Sequence, residues 1–385
     1  PQRVGRDRPG GDGARSRPDR ARRGGARLVT VPLRLGVVGP GDVAERDYLP
    51  ELGRLAGRAE VVAFASRDGE RARAAAAHYP GARGYAGYAE LLRDPAVDAV
   101  LNLTPIGLHA EVTLAALAAG KHVYSEKPLA GGVAEARAIR DAAAARARVL
   151  VCAPCVMLFP QVAHAAELLA SGAVGTPSSV RASAFGGAPP WEGYASDPAP
   201  FFSPDGGPLV DMAVYPLAAI AGLIAPVARV SALSSRTRDA FVVADGPAAG
   251  VRVPVEVDDN WQLVLELQGG VLASVEANFC AQETAAPELE IRGDAGTLAL
   301  SLLDVSEPVR LFAGGEWHET SVPHERAAGP DHLLGVEQLV ESVASGVEPS
   351  LSADRAIHVL AVIAAARRAA AEGRFVEVSE EEART

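Results

Sequence analysis

The chain is poor in three residue types that would have pointed elsewhere. Of its 385 residues only three are cysteine, two are methionine and 5% are aromatic. Three cysteines build no disulfide framework, which fits a reducing, cytoplasmic setting. Cys152 and Cys155 are spaced Cys-x-x-Cys, but a zinc site needs a second ligand pair that Cys280 alone does not supply. They read as small core residues. His164, His318, His324 and His332 lack metal-ligand spacing, so no metal is expected. No apolar run approaches the roughly 20 residues of a membrane span, so no membrane partner is expected and the protein reads as soluble. Excess positive charge is also missing. The net charge is −11, and residues 1–30 hold nine Arg against three Asp, a local +6 that leaves −17 for the rest. An acidic body is a poor partner for nucleic acid.

Residues 1–32 are rich in Arg, Gly and Pro and read as a disordered extension. Arg22-Arg23 superficially suggests a twin-arginine export signal. The next apolar stretch, Leu33 to Val38, is needed as the first strand, so no signal core remains. A natural start near Val31 is the expectation.

What is present is a strand–helix alternation. Leu33–Val38, Val61–Ala65, Val97–Leu103, His122–Ser125 and Val149–Ala153 read as strands. Helical stretches fall at 42–55, after Asp68, at Glu111–Ala119 and at Val133–Ala145. Such alternation gives a doubly wound parallel sheet over residues 33–153. Beyond it, Trp261–Leu267 and Val271–Phe279 alternate apolar and polar residues around Gly269-Gly270, the pattern of a hairpin with one exposed face. Short strands at 289–292, 297–301 and 309–312 and helices at 331–345 and 353–371 complete an α+β domain over 154–377. Its large, mostly antiparallel sheet is open on one face, and an acidic tail, 378–385, follows.

Two local features carry chemistry. Gly39-Pro40-Gly41-Asp42-Val43-Ala44 joins a strand to a helix. Gly39 permits the bend, Gly41 admits the pyrophosphate and Ala44 allows close helix packing. Eighty-odd residues later Glu126-Lys127-Pro128 closes a strand of the same sheet, at the edge where such sheets bind ligands. A lysine there can hydrogen-bond an oxygen beside a nicotinamide, and the two features together point to a dehydrogenase. At the end of the second strand, Ser66-Arg67 suits a 2′-phosphate and favours NADP. NAD is the alternative, with Asp68 reading the ribose unless it caps the following helix.

Gly36-x-x-Gly39-x-Gly41-x-x-Ala44, Thr104-Pro105 with His109, Gly120-Lys121-His122-Val123, Glu126-Lys127-Pro128 and Gly206-Gly207-Pro208-Leu209-Val210-Asp211-Met212-Ala213-Val214-Tyr215 together resemble the glucose–fructose oxidoreductase/inositol dehydrogenase (Gfo/Idh/MocA) family over about residues 33–377. The resemblance implies a catalytic set of Lys127, Asp211 and Tyr215, with tyrosine where many relatives carry histidine. It implies cofactor contacts from Gly39, Gly41, Asp42, Val43, Ala44, Ser66, Arg67, Thr104, Pro105, His109, Glu126 and Lys127. It also implies pairing of the open sheets into a homodimer or homotetramer. A spacing of four places Asp211 and Tyr215 on one helical face, although Pro216 disfavours helix in the residue before it. A nearby lysine ammonium would stabilise the tyrosinate. Trp191, Phe201 and Phe202, with Tyr194, form either a stacking wall for a sugar ring or a self-packed loop.

The expected activity is NAD(P)-linked interconversion of a secondary hydroxyl and a ketone on a sugar or cyclic polyol. The alternatives are a glycosidase that uses redox chemistry transiently and a non-catalytic dinucleotide sensor. The presence of Lys127, Asp211 and Tyr215 together argues against the sensor.

Overall fold

The fold is described from a computed structural model, over residues 31–380 except 192, 193, 245, 283, 325 and 327. The Arg/Gly-rich extension and most of the acidic tail therefore lie outside the described residues.

Six short strands form the first sheet: β1 (Leu33–Val38), β2 (Ala59–Ala65), β3 (Arg83–Tyr85), β4 (Ala99–Asn102), β5 (His122–Ser125) and β6 (Leu150–Cys152). All pair in parallel in the order β3-β2-β1-β4-β5-β6. The order reverses beside β1, which places the ligand-binding crevice at the carboxyl ends of β1 and β4. β4 is buried at every position, as a strand covered by helices on both faces must be.

The connecting helices are α1 (Gly69–Ala76), α2 (Tyr88–Arg93), α3 (His109–Ala118) and α4 (Val133–Ala145). β3 and α2 were not expected. With three and six residues, they are too short to show a period. The segment after the glycine turn also departs from an ordinary α-helix. It runs as a π-helix over Ala44–Tyr48 and a 3-10 helix over Leu49–Leu55. Pro50, which lacks an amide hydrogen, interrupts the regular ladder there.

The second lobe carries a nine-stranded sheet. Its strands are β7 (Pro177–Ala184), β8 (Val227–Ser235), β11 (Asn260–Leu267), β12 (Leu272–Asn278), β13 (Leu289–Gly293), β14 (Thr297–Leu300), β15 (Val309–Ala313), β16 (Glu316–Thr320) and β17 (Val376–Glu377). Two further strands, β9 (Ala240–Val242) and β10 (Arg252–Pro254), form a separate pair. The large sheet is antiparallel except between β7 and β12. Trp261, Leu263, Leu265 and Leu267 point into the core. Helices α5 (Pro160–Ala170), α7 (Val214–Leu223) and α9 (Ala353–Glu372) cover that face. On the opposite face Leu233, Val264 and Leu272 are exposed.

Two more helices matter for the site: α6 (Pro208–Asp211) and α8 (Leu333–Ser345). Cys152 and Cys155 are buried, and burial pushes the Cys155 thiol up to about 12, so it stays protonated. Among the described residues no helix is long and apolar enough to cross a membrane.

Candidate active site

The glycine turn is built for close approach. Gly39 has φ +86°, and a Cβ there would meet the Leu103 carbonyl at 2.7 Å, so only glycine fits between β1 and the end of β4. At Gly41 a Cβ would meet nothing nearer than the Arg71 guanidinium at 3.9 Å. The space above that backbone is open and a cation borders it. Ala44 is fully buried beneath the following turn. These features fit a dinucleotide pyrophosphate.

At the end of β2, Asp68 caps α1 by accepting from the amides of Glu70 and Arg71. The capping role expected as one of its two readings is thus filled. Ser66 is half-buried and its hydroxyl accepts from the Asp68 amide at 3.2 Å. Arg67 and Arg71 are both exposed with no protein partner among the described residues. Arg71 was missed in the sequence. It lies one helical turn beyond Arg67, and only the fold brings it to Gly41.

The loop after β4 is fixed from beneath. Buried Asn102 donates to the His109 carbonyl (3.0 Å) and to Thr113 (2.9 Å), and accepts from the Thr104 hydroxyl (2.7 Å). The buried His109 ring spans the carbonyls of Pro128 and Thr104, each at 2.6 Å. His109 therefore ties the Thr104-Pro105 loop to Glu126-Lys127-Pro128 and presents neither ring nitrogen to a cofactor.

Glu126 is likewise turned inward. Its carboxylate accepts from the Tyr48 hydroxyl and from the Lys127 amide (2.8 Å). Tyr48 continues to Tyr124 at 2.7 Å, and Tyr124 to the Cys155 sulfur at 3.1 Å. This buried polar chain locks the backbone on which Lys127 stands.

Lys127 Nζ donates to Asp211 Oδ1 at 2.7 Å and to the Asp211 carbonyl at 3.0 Å. One of its three N–H bonds remains for a ligand. Burial opposes the charge, but Asp211, Tyr215 and Glu126 outweigh it and hold the ammonium's pKa above its ordinary value. The Tyr215 ring lies 5.3 Å from Nζ. Burial raises the Tyr215 phenol, Lys127 opposes this, and Glu126 and Asp211 add to it, with a net upward shift. Burial and the carboxylates of Glu126, Asp211 and Asp47 outweigh the one ammonium that favours the anion, so the phenol is held in its neutral form. Its hydroxyl has no protein hydrogen-bond partner among the described residues.

Asp211 and Tyr215 sit on separate helices. α6 ends at Asp211, the chain bends at Met212 and Ala213, and α7 opens at Val214. Pro216 then falls in the first turn of α7, where its missing amide costs nothing. Gly206 precedes this segment because a Cβ there would lie 2.4 Å from the Pro200 carbonyl.

The aromatic loop packs on itself. Phe202 is buried against Phe241 and Phe279, with ring centroids at 4.6 and 5.6 Å. It is a core residue, not a wall for a ligand. Trp191 and Phe201 are half-buried and meet edge-on at 5.4 Å. The loop closes onto the glycine turn, since Asp42 accepts from the amides of Ala195 (3.0 Å) and Ser196 (2.6 Å). Asp42 Oδ2 is thus engaged by protein. Arg46 and Asp47 were also unforeseen. The buried Asp47 carboxylate takes Arg46 Nε at 3.0 Å and Nη2 at 2.8 Å, and Tyr215 and Tyr194 stand within electrostatic reach of the guanidinium.

Comparison with known proteins agrees with the two-domain fold. Residues 33–153 match "Oxidoreductase family, NAD-binding Rossmann fold", and residues 162–299 match "GFO/IDH/MocA C-terminal domain". A trans-1,2-dihydrobenzene-1,2-diol dehydrogenase from Bos taurus is 30% identical over 295 residues, covering 76% of this chain and 81% of that protein. The chain belongs to the Gfo/Idh/MocA family. A dTDP-3,4-didehydro-2,6-dideoxy-alpha-D-glucose 3-reductase from Streptomyces violaceoruber is 40% identical over 187 residues, which is 48% of this chain. That match spans about half of the reductase, 52% of its length. Among solved structures, a variant of a 3-ketoreductase from Actinomadura kijaniata, in complex with TDP-benzene and NADP, superposes with a TM-score of 0.69 at 26% identity, covering 88% of this chain and 98% of that one.

Proposed function

We propose that the protein is an NADP(H)-linked oxidoreductase that interconverts a secondary hydroxyl and a ketone on a sugar or cyclic polyol. The observation that carries this reading is the pairing of an unbonded, neutral Tyr215 hydroxyl with a Lys127 ammonium held by Asp211. A phenol kept neutral by burial is a proton donor at pH 7. In the reducing direction Tyr215 gives its proton to the substrate oxygen. The free N–H of Lys127 stabilises charge on the same oxygen, and Asp211 keeps that ammonium charged and oriented. In the oxidising direction the proton returns to Tyr215. The nicotinamide, when bound, supplies or accepts the hydride.

NADP is favoured over NAD because Ser66 and Arg67 follow β2 and Arg71 borders Gly41, giving a hydroxyl and two guanidinium groups with no protein partner among the described residues. Asp68 serves as the cap of α1. The named activities of the bovine, Streptomyces and Actinomadura relatives, and the NADP in the last, support a carbonyl or carbinol substrate.

The test is oxidation of NADPH, with NADH in parallel, against a panel of keto-sugars and ketocyclitols. Faster turnover with NADPH for at least one of them is the expected result. Release of nitrophenol from nitrophenyl glycosides with no net change in cofactor would overturn it in favour of a transient-redox glycosidase.

A further inference from the structure

His332 is buried at the start of α8, and the role of its ring is not accounted for by packing alone. It is 7% exposed, and its Nδ1 is enclosed with no hydrogen-bond partner among the described residues. No described protein group bonds Nε2 either. An unpaired polar atom in a core costs about 1–3 kcal/mol, and a phenylalanine at this position would avoid that cost. Polar groups retained in this way call for a ligand or a chemical role.

The position of the ring is tightly determined. It stacks on Tyr48 with centroids 5.9 Å apart and lies 6.5 Å from the Tyr215 ring. Tyr48 is itself anchored to Glu126 and Tyr124. The His332 carbonyl accepts from the Cys155 sulfur at 3.4 Å. The preceding residue, Asp331, is fully buried, pairs with Arg54 at 2.7 Å and with His324 at 3.1 Å, and caps the Leu333 amide. His332 is thus held rigidly beside the one catalytic candidate whose hydroxyl is also unbonded. Burial lowers its pKa, Glu126 and Asp47 oppose this, and Lys127 and Arg46 add to the lowering. A neutral imidazole can both donate and accept a hydrogen bond.

We propose that His332 is a substrate-binding residue that hydrogen-bonds the hydroxyl on the carbon next to the reacting one. This rests on the oxidoreductase reading above, with Tyr215 and Lys127 on the reacting oxygen. With the two rings 6.5 Å apart, one oxygen of a vicinal pair can meet Tyr215 while its neighbour meets the imidazole. A substrate lacking the second oxygen would leave His332 buried and unpaired, which is the stronger source of discrimination.

The test is equilibrium binding to the enzyme saturated with NADPH, where an alcohol cannot react. The probes are trans-1,2-cyclohexanediol and cyclohexanol. Wild type should bind the diol at least tenfold more tightly. His332→Phe keeps a ring stacked on Tyr48 and beside Tyr215 and deletes both nitrogens, so it should abolish the preference and leave cyclohexanol affinity within twofold. His332→Gln, which restores a polar end, should recover part of it. Equal losses for both probes, no diol preference in wild type, or an unchanged preference in His332→Phe would each overturn the proposal. Turnover of the same diol with NADP⁺ is scored separately. Diol preference without turnover would count against the redox reading and leave the histidine's role standing.

Discussion

Lys127 and Asp211 meet across the two lobes, the ammonium 2.7 Å from the carboxylate and 3.0 Å from the backbone carbonyl of the same residue. One comes from the loop after β5 and the other from the end of α6, so the pair joins the two lobes. Removing one partner of a buried pair leaves an uncompensated charge, at a cost of about 3–5 kcal/mol. Asp211→Asn should lower the midpoint of chemical denaturation accordingly. The pH dependence has a definite sign. The folded pKa of Lys127 lies above its unfolded value, so the pair's contribution is complete below about pH 10 and fades only as pH rises through the folded pKa. The wild-type advantage over Asp211→Asn should therefore be flat from pH 7 to 9. An advantage that vanishes below pH 9 would contradict the assignment.

Tyr215 is expected to act as an acid. Tyr215→Phe removes only a hydroxyl that bonds no protein group among the described residues, so the fold and NADPH affinity should be unchanged while turnover falls about 10²–10⁴-fold. Lys127→Ala should cost a similar factor, and the double variant little more than the poorer single one, because the two groups serve one oxygen. Since burial raises the phenol's pKa, reduction should show no basic limb attributable to Tyr215 below pH 10. Steady-state kinetics of the four proteins across pH supply the check, and near-wild-type turnover in Tyr215→Phe would remove the tyrosine from the mechanism.

Cofactor choice should reside in Arg67 and Arg71, both exposed. Arg67→Ala and Arg71→Ala should each weaken NADPH binding by about 1.5–3 kcal/mol, the scale of a hydrogen bond to a charged group, and leave NADH nearly unaffected. Calorimetric titration of both cofactors separates this from general damage, which would weaken the two equally.

The parts of this site that local sequence carries were legible. The glycine turn needs a bend that only glycine makes, and Glu126-Lys127-Pro128 ends a recognisable strand. Asp211 and Tyr215 emerged through family resemblance, and the hairpin through its alternation about Gly269-Gly270. His332, Arg71 and the Arg46–Asp47 pair were not legible, because each acquires its setting from chain more than twenty residues away or from a buried environment that leaves no periodic mark. The protonation of Tyr215 also required the structure. Sequence supplied the ammonium, whereas burial and the facing carboxylates decide the sign. Phe202 shows the same limit, since an aromatic in a Pro/Gly-rich loop reads alike whether it faces a ligand or the core.

Asp42 provides a mechanical prediction. Its carboxylate caps two consecutive amides, Ala195 and Ser196, and so fastens the aromatic loop over the glycine turn. Asp42→Ala strands both amides and should release the loop at a cost of about 1–3 kcal/mol locally. Limited proteolysis should then cut near residues 191–203 faster than in wild type, with the global unfolding midpoint almost unchanged. Unaltered cleavage would show that the aromatic contacts alone hold the loop.

The exposed sheet face leads to the last prediction, on assembly. Leu233 pairs with Gln262, Val264 with Ser231 and Ser274, and Leu272 with Glu266, so the three exposed apolar side chains share the face opposite the helices. Leu233 is 75% exposed, Leu272 54% and Val264 50%. Three such groups among Ser, Gln and the Arg229–Glu266 ion pair give a surface of mixed polarity, the composition of an interface rather than of a core. We propose that this face pairs with its counterpart on a second copy, giving a dimer or tetramer as the family resemblance implies. An isologous contact brings each side chain near its symmetry mate or that of a neighbour, so one substitution acts twice. Val264→Lys would then place like charges in a buried contact, where neither has a partner. Light scattering at micromolar concentration should show wild type as an oligomer and Val264→Lys shifted toward monomer, with unchanged circular dichroism because residue 264 does not touch the core. A monomeric wild type, or an oligomer indifferent to charge at residue 264, would place the contact elsewhere or rule it out.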